Sequence, residues 1–202
     1  MSLVFGFVTS DDAGEHVHLV ADSIVLEDTY TRFRSDDTKL FFAGEQREYL
    51  IGVCGGLRAL QAVKYGVRYP VWREPEPGEP EPNVHAFVVD SVVRAIRKGL
   101  RRFGVNWNES FDAELLVAFR GRLFSIDSDF GVFESSDGYM AIGAGADLAL
   151  GALAALDISR DDLGERVCDT ARVAMRAASR HSAAACAPWL YANNRSKTID
   201  FL

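Results

Sequence analysis

The chain has 202 residues, a formal net charge of -7, and 48% hydrophobic and 25% charged residues. These are globular proportions with enough apolar residues for one well-packed core, and a single domain over 1–202 is the expectation. The acidic balance excludes a general affinity for nucleic acid or an anionic membrane surface, since both need a basic footprint. Arg94, Arg97, Lys98, Arg101 and Arg102 form the one dense basic stretch. They alternate with apolar positions, as on the solvated face near the C-terminus of a helix. Cys54, Cys168 and Cys186 are scattered, with neither zinc-site spacing nor the density of a secreted disulfide scaffold, which suits a reducing compartment. The most apolar segment, Ala141 to Leu156, carries Asp147 and three glycines and is too short to span a bilayer. No basic segment precedes the first apolar run, so a soluble cytoplasmic protein is expected.

Residues 2–10, "SLVFGFVTS", alternate large and small apolar side chains in a nearly uncharged run and predict a strand. "TSDDAGEH" predicts a turn, and "VHLVAD" the returning strand of a hairpin that ends on Asp22. "DTKLFFAG" and "YLIGVCGG" read as two further strands around the charged turn "EQRE". From Leu57 to about Tyr69 the apolar residues recur at helical spacing, and Pro70 stops the run. "REPEPGEPEPN" then alternates proline and glutamate, which suits neither helix interior nor central strand and predicts an extended, solvated loop at about 71–83. Asn83 can cap a second helix lined by Val84, Val88, Val92, Ile96 and Leu100 or Phe103.

"AELLVAF", "RLFSID" and "GVFES" follow as short strands, and "MAIGAGADLALGALAAL" passes from a strand into a helix so poor in charge that it should be buried on most sides. Asp161 or Asp162 starts an amphipathic helix to about Arg180, and "PWLYA" is the last strand. Strands, two helices, strands, two helices and a strand fit two stacked sheets between two helical layers, an α+β fold of four αββα layers.

The chemistry-bearing candidates gather around residue 2. Removal of Met1, which a small second residue permits, would make Ser2 both terminus and nucleophile. Its α-amine, with an ordinary pKa near about 8, is a competent base at neutral pH. Asp22 ends the strand antiparallel to the first, and Lys39 stands before the apolar run of "TKLFF". A lysine near a serine hydroxyl lowers the cost of ionising it, and an aspartate beside the lysine keeps the ammonium charged and oriented. Gly52, in "IGVCGG", could offer a backbone N–H to a developing oxyanion. That glycine run carries no phosphate-loop lysine. His16 and His18 lie two apart, and His85 and His181 are isolated, a spacing that suggests no metal and leaves all four as structural or surface residues. No cofactor is expected.

"LVADS", "TKLFF" and "YLIGVCGGLRAL" together resemble the proteasome β-subunit and its bacterial relatives, the peptidase subunit of the two-component ATP-dependent protease and the ancestral β-subunit-like proteins. "YMAIGAGADLALGALAAL" is similar to the family's "AIGSG" strand-to-helix turn, and "LYANNRSKTIDFL" to its C-terminal strand, so the matches run in order along almost the whole chain. The resemblance implies an N-terminal nucleophile hydrolase acting on peptides or unfolded protein. It also implies a homo-oligomer, in rings or a related self-compartmentalising assembly, with an ATPase as partner in the two-component case. Ser2 falls where the family usually has its catalytic threonine, Asp22 and Lys39 on its supporting pair, and Gly52 on its oxyanion glycine. Val25, Leu50 and Cys54 fall on the pocket for the side chain before the scissile bond, a small apolar lining that implies an apolar preference.

The chain departs from the family at two places. The serine of "GSG" is Ala144 here, and counting onto "RHSAAAC" sets His181 and Ala184 where proteasome subunits have an aspartate and a serine. Three functions stay open on these residues: an active peptidase, a catalytically silent oligomeric scaffold or regulator, and an amidase for a small molecule.

Overall fold

The computed structural model describes residues 2–27, 31–34, 37–105, 111–156 and 166–202, with 25–27, 31–34 and 184 described by their backbone alone. β1 (Leu3–Asp11) and β2 (Gly14–Asp22) form a hairpin that pairs Asp11 with Gly14. The turn is therefore only Asp12 and Ala13, tighter than the eight-residue stretch expected, because the Asp11 carboxylate accepts the Ala13 N–H at 2.8 Å and closes the loop locally. A short ribbon, β3 (Ile24–Glu27) and β4 (Thr31–Arg34), follows; nothing in the apolar pattern announces it.

β5 (Leu40–Ala43), β6 (Tyr49–Gly55), β7 (Ala113–Phe119), β8 (Arg122–Ile126) and β9 (Val132–Glu134) pair in chain order as one antiparallel sheet. β10 (Tyr139–Gly143), β11 (Trp189–Asn193) and β12 (Ile199–Phe201) complete a second sheet in the order β10-β1-β2-β11-β12. The two sheets face each other across Val4, Val8, Leu19, Leu40, Leu50 and Leu116. Leu3, Phe5 and Phe7, on the other face of β1, pack against α4 (Ala146–Ala155) and α5 (Val167–His181). The first strand is thus buried on both faces, which explains its continuous apolar run.

The other sheet is covered by α1 (Leu57–Gln61), α2 (Val84–Phe87) and α3 (Val93–Arg102), with core residues Leu60, Val63, Val88, Val92, Ile96 and Leu100. Two π-helical turns, Ala62–Gly66 and Val88–Val92, extend α1 and join α2 to α3. The first helical run stops at Gly66, short of Tyr69, because the backbone is already extended at Val67. Asn83 caps α2 as expected, accepting the Ala86 N–H. The Pro/Glu segment is exposed, and Trp72 ties its start down by packing edge-on against Phe87 at 4.9 Å. These are the four αββα layers.

One helix differs from expectation. Within α4 only Ala149 and Leu153 are fully buried, while Leu148, Gly151, Ala154 and Ala155 face outward. The helix packs on β10, β1 and α5, and its outer side carries Asp147 and Leu148 in the first turn and small uncharged residues after them. The start expected for the next helix, at Asp161 or Asp162, lies outside the described residues. No helix among the described residues is long and apolar enough to cross a membrane.

Candidate active site

Asp22 stands opposite Leu3, because the register pairs Val4 with Ala21. The hairpin so returns a carboxylate to the start of the chain. Asp22 Oδ1 accepts the Leu3 N–H at 2.8 Å, and Oδ2 accepts the Ile24 N–H at 3.1 Å and the Lys39 ammonium at 2.6 Å. Lys39, the residue ahead of β5, donates a second N–H to the Ile24 carbonyl at 2.7 Å, leaving its third. Asp22 is 1% and Lys39 6% exposed. Burial is the largest influence on Asp22 and pushes its pKa above the usual carboxylate value, opposed by Lys39 and by the backbone N–H groups of Leu3 and Ile24. Three donors converging on its two oxygens require an acceptor, so the ionised form is the one this geometry holds.

Ser2, 8% exposed, opens onto a cavity of about 940 Å³ that Lys39 also lines. Among the described residues its hydroxyl makes no hydrogen bond. The cavity lies where the N-terminus of β1 meets the C-terminal ends of β6 and β10, and Cys54, Gly55, Gly56, Gly143 and Ala144 are on its wall. A Cβ at Gly143 would lie 2.3 Å from the Ser2 carbonyl oxygen, so glycine is what lets β10 approach the first residue this closely. Cys54 donates its thiol to the Ile142 carbonyl at 3.4 Å, and burial pushes that thiol far up. A thiol held protonated is no nucleophile.

Two residues expected at the site are elsewhere. Gly52 sits inside the β5–β6–β7 ladder, opposite Leu40 and Leu116, and the cavity wall does not include it. Its missing side chain serves the sheet-to-sheet approach: a Cβ there would lie 2.5 Å from Val4 Cγ1. At this end of β6 the glycines on the cavity wall are Gly55 and Gly56, of which Gly56 gives its N–H to the Asp112 carbonyl at 2.8 Å. Leu50 is fully buried between the sheets, four residues back along the same strand face from Cys54. Val25 belongs to β3, and its side chain lies outside the described residues, as does that of Ala184.

Sequence reasoning missed two sets of residues. Asp37, Asp112 and Glu114 are on the cavity wall, so the lining is not the apolar one expected. Glu114 is opposite Cys54 in the β6–β7 register and accepts the Gly143 N–H at 3.0 Å. Its alternation within "AELLVAF" was the one available signal. Ser182, at the end of α5, donates its hydroxyl to the Ala144 carbonyl at 3.3 Å. A hydroxyl thus reaches the "GAG" turn from a distant segment, beside an exposed His181; only the fold brings the two together. Of the other histidines, His16 meets Asp11 at 2.9 Å and His85 meets Glu134 at 3.4 Å. His18 is buried between Thr9 and Tyr191.

By sequence, no family model and no curated protein matches the chain. Solved structures do match its fold along nearly its full length. BPH from Thiobacillus denitrificans in complex with epoxomicin superposes with a TM-score of 0.66 at 16% identity, covering 94% of this chain and 97% of that one. HslV from Trypanosoma brucei gives 0.61 at 19% identity over 94% of this chain and 98% of its own. Anbu, the ancestral β-subunit, from Hyphomicrobium sp. strain MC1 gives 0.68 at 15% identity, covering 98% and 86%. At such identities the likeness concerns the backbone, and it agrees with the layers and strand order described above. The chain therefore shares its fold of four αββα layers with BPH, HslV and the ancestral β-subunit Anbu.

Proposed function

We propose that the protein is an N-terminal nucleophile peptidase in which Ser2, exposed by removal of Met1, attacks the scissile carbonyl. The observation that carries this reading is the buried Lys39–Asp22 pair at 2.6 Å on the cavity that Ser2 opens onto. A buried ion pair contributes little net stability, and apolar residues of similar volume would pack there as well. A role in positioning charge accounts for it better.

In the proposed cycle the α-amine of Ser2 accepts the Oγ proton as Oγ bonds to the carbonyl carbon. The Lys39 ammonium stabilises the alkoxide character that develops on Oγ, and Asp22 holds that ammonium charged and aimed. The oxyanion develops toward the glycine run at the end of β6, where Gly55 replaces Gly52 as the candidate N–H donor. Collapse expels the amine leaving group, protonated by the α-ammonium, and leaves an ester on Ser2. Water, activated by the same amine, hydrolyses that ester. Ser182 supplies the hydroxyl that Ala144 lacks and orients the turn flanking the amine. We further propose that the chain forms one domain, acts on peptide or unfolded protein, and assembles with copies of itself. One neighbour, Anbu from Pseudomonas aeruginosa, is described as a helical assembly.

The second reading, a silent scaffold, is favoured by Ala144, which removes a hydroxyl from the turn beside the nucleophile. Intact mass of the natively purified protein, before and after an epoxyketone probe, separates the two. The peptidase reading expects a mass lacking one methionine and one adduct on Ser2, absent in Ser2→Ala. In that variant hydrolysis falls on the order of a thousandfold or more. A retained methionine with no adduct overturns it and leaves the scaffold. Hydrolysis of small amides but of no peptide identifies an amidase.

A further inference from the structure

The same cavity carries a charge pattern that bears on its substrate. The Lys39 ammonium is taken by Asp22, and Asp37 is matched by Lys64 at 3.2 Å and by the amide of Gln61 at 3.1 Å. Asp112 and Glu114, both on the wall, have no such match among the described residues. Among the described residues the Asp112 side chain has no hydrogen-bond or ionic partner. Glu114, among the same residues, accepts one hydrogen bond, from the Gly143 N–H at 3.0 Å, through one oxygen.

Their placement is directional. Cross-strand partners in an antiparallel pair share a face, so Glu114 stands beside Cys54, and Asp112 lies one residue before β7 against Gly56. The wall that bears them is the one that continues to Ser2 through Cys54 and Gly143. Leu57, exposed on the wall of the same cavity, offers apolar surface suited to the methylene stem of a long cationic side chain. Two carboxylates without counter-charge in a concave, partly apolar site focus a negative potential on whatever enters. An apolar group would strip water from them and give nothing back, whereas a guanidinium meets a carboxylate with paired, charge-assisted hydrogen bonds.

We infer that this cavity selects a substrate with a guanidinium or ammonium group next to the scissile carbonyl, with Glu114 and Asp112 as the specificity-determining residues. The inference rests on the nucleophile reading for its chemistry, but cation recognition can be read without catalysis.

The test has two arms on the full chain. In the first, benzamidine and its neutral isostere benzamide are titrated against Ser2→Ala, with Glu114→Gln and Asp112→Asn added singly and together. Benzamidine should bind at least about tenfold tighter than benzamide, and the two should converge within about twofold in the double variant. In the second, peptide aminocoumarins ending in Arg or Leu are compared on the protein with Ser2 intact. The Arg-to-Leu ratio of kcat/KM should exceed about ten and fall toward one in the double variant. Asp112→Asn, at an exposed position, alone should lower both ratios and so separates a charge effect from a folding defect. Equal binding of benzamidine and benzamide, or a preference for Leu together with an epoxyketone adduct on Ser2, overturns the inference while the nucleophile stands. Benzamidine selectivity without adduct or turnover supports the cation site and overturns the nucleophile.

Discussion

Strands β1 and β2 carry two buried polar clusters, and they are built on opposite plans. Toward the turn, His18 accepts or donates one hydrogen bond at each ring nitrogen, to Thr9 Oγ1 and to the Tyr191 hydroxyl, both at 2.8 Å. Its ring is stacked between Phe7 and Tyr191. The cluster is neutral, closed, and satisfied. At the other end Asp22 and Lys39 are charged, and the cavity beside them holds Ser2, whose hydroxyl has no partner among the described residues. One hairpin thus contains a polar group that completes packing and a polar group that packing does not need. A cluster that satisfies itself has nothing left to offer a substrate, while an incomplete one beside a cavity does.

The sharpest way to break this contrast is to remove one charge. Lys39→Ala leaves Asp22 buried without its cation and should destabilise the protein by about 3–5 kcal/mol while abolishing Ser2 reactivity. Pairing it with Asp22→Asn should restore much of the denaturant midpoint but none of the epoxyketone labelling. If the double variant recovers labelling, the pair is structural and the contrast fails.

The His18 cluster should respond to pH instead. Burial, with a smaller repulsion from His16, lowers the His18 pKa from its ordinary 6.5 to about 4. The unfolded chain therefore binds a proton at a pH where the folded protein does not. Stability from this group is full above about pH 6.5 and declines as pH falls toward 4, by about 3 kcal/mol in all. Urea midpoints at pH 7, 5.5 and 4.5 measure the slope, and His18→Gln should remove this component. An unchanged slope in that variant would show that other groups carry it.

A smaller effect separates Gly52 from the site. Gly52→Ala sets a methyl against Val4 Cγ1 and should cost about 1–3 kcal/mol, with kcat/KM of the folded protein unchanged. Adding Val4→Ala should recover part of the loss. A collapse of kcat/KM without a change in stability would return Gly52 to the oxyanion role.

Much was legible in the sequence because local rules act locally. The alternation of the first strand, the helical spacing of Val88, Val92, Ile96 and Leu100, the Asn83 cap and the proline-rich loop all formed as read, each depending on nearest neighbours along the chain. The β3–β4 ribbon escaped because it is too short for periodicity to register. The pattern of α4 predicts burial on most sides because Ala and Gly are apolar whether or not anything covers them.

Ser2, Asp22 and Lys39 are each legible as residue types in suggestive places, but the register that sets Asp22 opposite Leu3 depends on a two-residue turn tighter than the eight-residue stretch that the sequence suggests. What a glycine in "IGVCGG" does is not legible. Gly52 and Gly55 differ in backbone and in surroundings: a Cβ at Gly52 would meet Val4 of the facing sheet, whereas Gly55, at φ +141°, lies on the cavity wall and a Cβ there would meet Asp112 and Ala113. The same holds for Ser182 at the Ala144 turn and for Glu114 beside Cys54, residues brought together across 38 positions in the first case and by strand register in the second. The sequence by itself determined the elements and the chemistry available, since both depend on short-range propensity and side-chain type. The tertiary structure decided which groups meet, how deeply they are buried and what charge the cavity carries, because those depend on contacts between segments that no local pattern encodes.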